Sequence, residues 1–280
     1  VTTNIHNPAV TDIIQDPNNP DTWYYCTGEA IGSSASASGV FFNPEDHRSF
    51  YKGNGIYKST DNGITWNILP VTEDSSPEVF DSPFELTFEL AINPVNSDLY
   101  VTTYKGLYRT QDGGTTFTEV FNHEDFGVAD VEVTSSGIVY FALGNGSGNV
   151  TPERGIYRST SGDLNSFVEI TPTNFSASYG RVVMGVAPSN ENILYLFANQ
   201  TTSGEDIWKY TYLSGDGTGA GGNWEDRTAN KPDFGGTVGN VNTQGGYNMY
   251  IEIHPLDPDL VFLGATNVYR STDGFASTAT

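Results

Sequence analysis

The sequence predicts an all-β protein built from repeated four-stranded sheets, and three observations predict it. Short strand-like segments recur in a fixed order along the chain, at a spacing of about 40–75 residues. These segments are rich in Val, Ile, Tyr, Phe and Thr, and Gly, Pro, Asn or Asp bounds each of them. No stretch sustains a 3.6-residue apolar period, so almost no helix is expected. Four short strands per unit at this spacing is the pattern of β-propeller blades.

The first strand of each unit alternates and runs into a Pro, Asn or Gly turn. Its copies begin at Val10, Leu86, Val128, Arg181 and Met249. A mostly apolar second strand follows: Trp23–Cys26, Leu99–Val101, Ile138–Ala142, Ile193–Phe197 and Leu260–Leu263. The third strand ends in a polar turn, as in Gly55-Ile-Tyr-Lys-Ser-Thr-Asp61 and Gly106-Leu-Tyr-Arg-Thr-Gln-Asp112. Gly155–Ser161 and Asn267–Asp273 match that pattern, and Asp206–Tyr212 is a degenerate copy. An aromatic residue then opens a fourth strand at Trp66, Phe117, Phe167 and Trp224. Five blades result, covering about 9–69, 84–121, 127–170, 179–228 and 247–280 of a single propeller region, 1–280.

The last blade shows no recognisable fourth strand before Thr280. Either Val1–Ile5 supplies it and closes a five-bladed ring, or the chain is part of a larger propeller, which is the reading preferred from sequence.

The polar turn resembles the Asp box, or bacterial neuraminidase repeat, of form Ser-x-Asp-x-Gly-x-Thr-Trp. Ser59-Thr-Asp61-Asn-Gly63-Ile-Thr65-Trp66 matches it closely, and Thr110-Gln-Asp112-Gly-Gly114-Thr-Thr116-Phe117 matches well. Ser271-Thr-Asp273-Gly is a truncated copy, and blade three carries Ser161 where Asp belongs. Such boxes occur in sialidases, sortilin-type receptors, xyloglucanase-like glycoside hydrolases and secreted bacterial surface proteins, and the style here is closest to the last group. The resemblance implies a propeller and leaves the function open.

Within the box, Asp61 and Asp112 are expected to lock their own turns. Gly63 and Gly114 tolerate a positive φ, and Trp66 and Phe117 are expected to pack between neighbouring sheets. Lys58, Arg109, Arg158, Lys209 and Arg270 share one repeat position, so they belong to the blade plan and do not mark a basic site.

Composition narrows the function. The net charge of −22 repels phosphate backbones and argues against nucleic acid as a partner. No apolar run reaches the length of a membrane span. The single cysteine, Cys26, sits in an apolar strand and reads as a small core residue. The four histidines have no metal-ligand spacing and no EF-hand loop occurs, so no metal site is assigned; calcium is the one cofactor the acidic loops would suit. The absence of an initial Met and the four Asn-x-Ser/Thr sequons are compatible with a secreted or cell-surface protein.

Sequential antiparallel strands put the Asp-containing turns on one face of the propeller. The 2–3 turns and the blade-to-blade links fall on the other, with long insertions at 30–54, 70–83, 144–154, 199–205 and 228–246. Recognition is expected on this insertion face. Glu29, Glu85 and Asp130 are the candidate catalytic carboxylates, while His47, Arg48, Tyr179 and Arg181 are the candidate ligand-binding residues. Arg181 is the only Arg in a first-strand segment, whereas a sialidase needs several around its channel. The leading expectation is a propeller that binds a polysaccharide or an extracellular protein. A glycoside hydrolase with paired carboxylates is the alternative, and a structural segment of a large surface protein is the third.

Overall fold

The computed structural model describes residues 9–28, 52–74, 81–123, 127–145, 152–200, 204–235 and 239–278. Blade one contains β1 (Val10–Gln15), β2 (Trp23–Thr27), β3 (Ile56–Ser59) and β4 (Asn67–Ile68). Blade two contains β5 (Thr87–Ile92), β6 (Leu99–Thr103), β7 (Gly106–Thr110) and β8 (Thr118–Asn122). Blade three contains β9 (Gly127–Val133), β10 (Val139–Asn145), β11 (Gly155–Ser159) and β12 (Val168–Glu169). Blade four contains β13 (Tyr179–Val186), β14 (Ile193–Gln200), β15 (Gly204–Tyr212) and β16 (Gly222–Asp226). Blade five shows β17 (Tyr250–Ile253), β18 (Val261–Gly264) and β19 (Val268–Ser271) among the described residues. Every sheet is antiparallel with its strands in sequence order, as the repeat predicts.

The first strands pack side by side, β1 on β5, β5 on β9, β9 on β13 and β13 on β17. No comparable seam joins β17 to β1 among the described residues. Val1–Ile5, the segment considered for ring closure, lies outside them.

Strand alternation gives each blade two apolar faces, and each face fills one seam. Tyr24, Cys26 and Ile56 of blade one pack with Phe84, Leu90 and Val101 of blade two. Tyr100 and Leu107 then meet Val131 and Phe141 in the next seam, and Tyr140 and Ile156 meet Met184 and Tyr210 in the one after it. Tyr195 and Phe197 meet Ile251, Leu263 and Tyr269 in the last. Cys26 is fully buried in this plan, and burial pushes its thiol up to about 12, as suits a core residue.

The Asp turns are locked from within. The Asp61 carboxylate accepts the Thr65 backbone N–H at 2.8 Å, the Thr65 hydroxyl at 2.6 Å and the Ser59 hydroxyl at 2.8 Å. Asp112 accepts the equivalent Thr116 N–H at 2.9 Å and Thr116 hydroxyl at 2.7 Å. These hydrogen bonds pull both carboxyls down to about 2, the Thr65 hydroxyl contributing most at Asp61 and the Thr116 N–H most at Asp112. In blade three, where Ser161 replaces the Asp, the turn is held by Ser159, whose hydroxyl accepts the Gly162 N–H at 2.8 Å.

The basic residues of the third strands of blades one to four reach into the following blade. Lys58 donates to the Gly113 carbonyl at 2.8 Å, and Arg109 donates to the Ser161 carbonyl at 3.1 Å and to Asp163 at 2.8 Å. Arg158 approaches the Asp216 carbonyl at 3.4 Å and lies 4.2 Å from the Tyr212 ring, while Lys209 pairs with Asp259 at 2.7 Å. The position shared in sequence is therefore an inter-blade clamp. Gly162 sits where any Cβ would fall 1.9 Å from the Tyr100 hydroxyl, so only glycine lets the turn approach this closely.

The aromatics that follow these turns in blades two to four turn toward the preceding blade. Phe117 lies 5.0 Å from Phe84 in the first seam, and Phe167 and Trp224 fill equivalent places further along. Trp66 departs from the expected packing between sheets. Blade one has no preceding blade among the described residues, so the half-buried Trp66 packs on its own sheet, 4.7 Å from Tyr25.

Candidate functional site

The innermost strands carry a line of charge that reaches around the axis. Asp12 on β1, Glu89 on β5, Asp130 and Glu132 on β9, Arg181 on β13 and Glu252 on β17 all contribute. Carboxylates on blades one, two, three and five influence one another electrostatically, which places them around a common axial space. Asp12, Glu89 and Asp130 occupy matching places on consecutive first strands.

These matching carboxylates are not chemically equivalent. Asp12 accepts the Ile13 N–H at 2.7 Å and, across the seam, the Leu90 N–H at 2.9 Å. Asp130 accepts the Val131 N–H at 3.0 Å and, across the next seam, the Met184 N–H at 2.5 Å. Both act as staples between blades. Glu89 and Glu132 make no side-chain hydrogen bond among the described residues.

Burial pushes Glu89 well above the ordinary carboxyl range, and the charges of Asp130, Asp12 and Glu132 push the same way. Glu132 is raised for the same reasons, burial first and then Asp130 and Glu252. Burial lifts Asp130 to about 6, against the pull of the Met184 N–H and the Arg181 charge. Arg181 is the counter-charge to Glu89 and Asp130, and burial lowers its own proton affinity. Its guanidinium is anchored at the insertion end by the Gly246 carbonyl at 3.4 Å and the Tyr247 carbonyl at 3.1 Å.

Of the sequence candidates, Asp130 and Arg181 meet in this channel. Tyr179 does not; it is 2 % exposed, donates to the Leu143 carbonyl at 3.3 Å and fills the seam between blades three and four. Glu85 sits on the link from blade one to blade two with no solvent exposure, in contact with Lys52, and accepts the Ser82 N–H at 3.2 Å. Burial, reinforced by a hydrogen bond with Asp74, raises its carboxyl to about 7. Asp81 lies with Asp74 and Glu85 in the one acidic group of metal-ligand spacing among the described residues, and Lys52, 3.2 Å from Asp74, already supplies the balancing charge there. Glu29, His47 and Arg48 lie outside the described residues.

Asp12, Glu89, Glu132 and Glu252 were not singled out in the sequence. Their signal was present as a charged residue within apolar first strands, in Val10-Thr-Asp-Ile-Ile, Phe88-Glu-Leu, Val131-Glu-Val and Tyr250-Ile-Glu-Ile. A carboxylate in a strand buried on both faces needs a partner or a cavity.

No family model matches the chain. The sequence is similar to a xyloglucanase, Xgh74A, of Acetivibrio thermocellus, 24 % identical over 225 residues, covering 68 % of this chain and 26 % of that enzyme. The structure is similar to a GH74 xyloglucanase of Xanthomonas campestris, with a TM-score of 0.56 and 14 % identity, over 95 % of this chain and 45 % of that one. It also resembles an ancestral GH74 enzyme, with a TM-score of 0.62 and 13 % identity, over 93 % of this chain and 33 % of that one. What is shared is the propeller fold. The chain thus spans about a quarter of the length of its curated relative and less than half of these solved neighbours. No helix among the described residues is long and apolar enough to cross a membrane.

Proposed function

We propose that this chain is a glycan-binding region of a secreted or cell-surface propeller of the Asp-box class, taking a neutral polysaccharide at the mouth of its axial channel. The observation that carries this reading is the pair of uncommitted carboxylates, Glu89 and Glu132, beside the anchored Arg181. Carboxyl oxygens accept hydroxyl hydrogen bonds and the net charge of −22 repels anions, so the channel favours an uncharged, hydroxyl-rich ligand over a phosphate or an acidic sugar. The similarity to proteins named xyloglucanases supports the same ligand class. The exposed outer face of blade five, with Val268 79 % exposed, supports a larger propeller in which a further blade covers it.

Affinity electrophoresis through gels containing xyloglucan, galactomannan or polygalacturonate tests the proposal. Retardation by a neutral polysaccharide, lost in Glu89→Gln, is the expected result; equal mobility in all three gels refutes it.

Hydrolysis is a second reading, favoured by one observation. A carboxyl raised to about 6, Asp130, shares the channel with the raised Glu89, and protonated with ionised carboxyls is the pairing that glycoside cleavage needs. Release of reducing ends from xyloglucan, abolished in Asp130→Asn or Glu89→Gln, would establish it; binding without release assigns the channel to recognition alone.

A further inference from the structure

A cavity of about 330 Å³ opens on the outer rim, between the last strand of blade three and the outer hairpin of blade four. It lies away from the axial channel, so this site and the channel stand or fall separately. Trp208, Trp224, Glu169, Thr173, Asn174 and Thr218 supply the side chains that matter. Its volume is at the lower end of the 300–1,000 Å³ range typical of small-molecule sites.

The walls are preformed. Trp224 is fixed by its Nε1–H, which donates to the Ile170 carbonyl at 2.6 Å, and by the Tyr210 ring at 4.7 Å. Trp208 meets Trp224 edge-on at 6.4 Å and Phe175 at 5.9 Å. The hairpin wall is shaped by Gly217, with φ +91, where a Cβ would lie 2.3 Å from the Tyr210 hydroxyl. That hydroxyl donates to the Gly217 carbonyl at 2.7 Å and holds the wall in place. Arg158 of blade three clamps the same hairpin at Asp216.

The polar groups point to a ligand. Trp208 is 6 % exposed and its buried Nε1–H has no acceptor among the described residues, an arrangement that costs free energy until an acceptor arrives. Glu169, Thr173 and Asn174 are exposed at the cavity and make no side-chain hydrogen bond among the described residues. Two indoles, an orphan donor and a set of open acceptors fit a ring with an apolar C–H face and hydroxyls at its edge. The Glu169 carboxylate and the net charge of −22 exclude an anionic version of that ring.

We propose that this rim cavity is a second saccharide site, which takes one pyranose unit of a neutral oligosaccharide against Trp208 and Trp224. A hydroxyl of the sugar accepts the Trp208 Nε1–H, and Glu169 and Asn174 bond the hydroxyls at the open edge.

Isothermal titration of the intact chain with cellotetraose, maltotetraose and a xyloglucan heptasaccharide tests it. Saturable binding of at least one is expected to persist in Glu89→Gln, which removes the channel's contribution; in that background it is abolished by Thr173→Trp, which fills the cavity, and weakened at least about threefold by Trp208→Phe, which keeps an aromatic ring and removes the donor. No saturation up to about 10 mM of any of the three overturns the site, as does parental affinity in either Thr173→Trp or Trp208→Phe. Binding that Glu89→Gln removes and Thr173→Trp spares assigns the ligand to the channel and overturns the rim site.

Discussion

The seam between blades two and three and the outer face of blade five are built from the same repeat, yet they end in opposite states. In the seam, Phe121, Phe141, Tyr157 and Phe167 form an aromatic cluster with ring centroids 4.6–6.2 Å apart, and Arg109 closes it on Asp163. On blade five, Tyr250 is 58 % exposed, Val268 is 79 % exposed, and Arg270 shows no clamp contact among the described residues. A blade thus carries instructions for two neighbours: a face for the blade before it, and a face plus a basic hook for the blade after it. Stability resides where both sets of instructions are met.

Substitutions break or sharpen this contrast. Phe141→Ala, at 0 % exposure inside the seam, should cost about 3–5 kcal/mol in denaturant unfolding, whereas Val268→Ala should stay within about 0.5 kcal/mol. Equal costs would mean that the outer face of blade five is covered as well as the seam. Trp66→Ala should fall between these two, because the half-buried ring packs on Tyr25 of its own sheet.

The hook gives a smaller contrast of the same kind. Arg109→Ala leaves Asp163 and the Ser161 carbonyl without their charged donor and should cost about 1–3 kcal/mol. Arg270→Ala should change the melting point little, and a loss matching that of Arg109 would show that Arg270 already has a partner.

The blade pattern was legible because it depends on strand alternation and turn chemistry, both local. Ile-Tyr-Lys-Ser-Thr-Asp announces a third strand and its turn wherever it occurs, and the structure places β3, β7, β11 and β19 there. The channel was half legible. Asp130 and Arg181 stood out as charged residues on first strands, but Glu89 and Glu132 acquire meaning only when separate blades bring their strands around one axis. Glu85 looks from sequence like a surface carboxylate ahead of a strand, and its burial against Lys52 is a tertiary fact. The direction in which the clamps run, always into the following blade, is likewise absent from any one repeat.

The smallest expected effect is a pH dependence on that blade-one to blade-two link. The Glu85 carboxyl is raised in the folded chain from 4.5 to about 7, so the folded state binds its proton more tightly than the unfolded state. The corresponding stability is fully present below about pH 4.5 and is lost as pH rises through about 7. Glu85→Gln should therefore flatten the melting temperature between pH 5 and pH 8 relative to the parent, and a steeper decline in the variant would reverse the assignment.

The account separates residues that hold the propeller together from residues left for a ligand, and Glu89 tests that separation most directly. Thermal unfolding and xyloglucan affinity electrophoresis of Glu89→Gln, run on one preparation, read both properties at once. Burial and the charges of Asp130, Asp12 and Glu132 favour the protonated form of Glu89, which Gln mimics, and Glu89 makes no side-chain hydrogen bond among the described residues, so the substitution should leave the melting temperature unchanged or higher. Retardation in the xyloglucan gel should weaken at least about tenfold. A variant that melts markedly lower, or that binds as the parent does, would contradict the assignment of this carboxylate to a ligand.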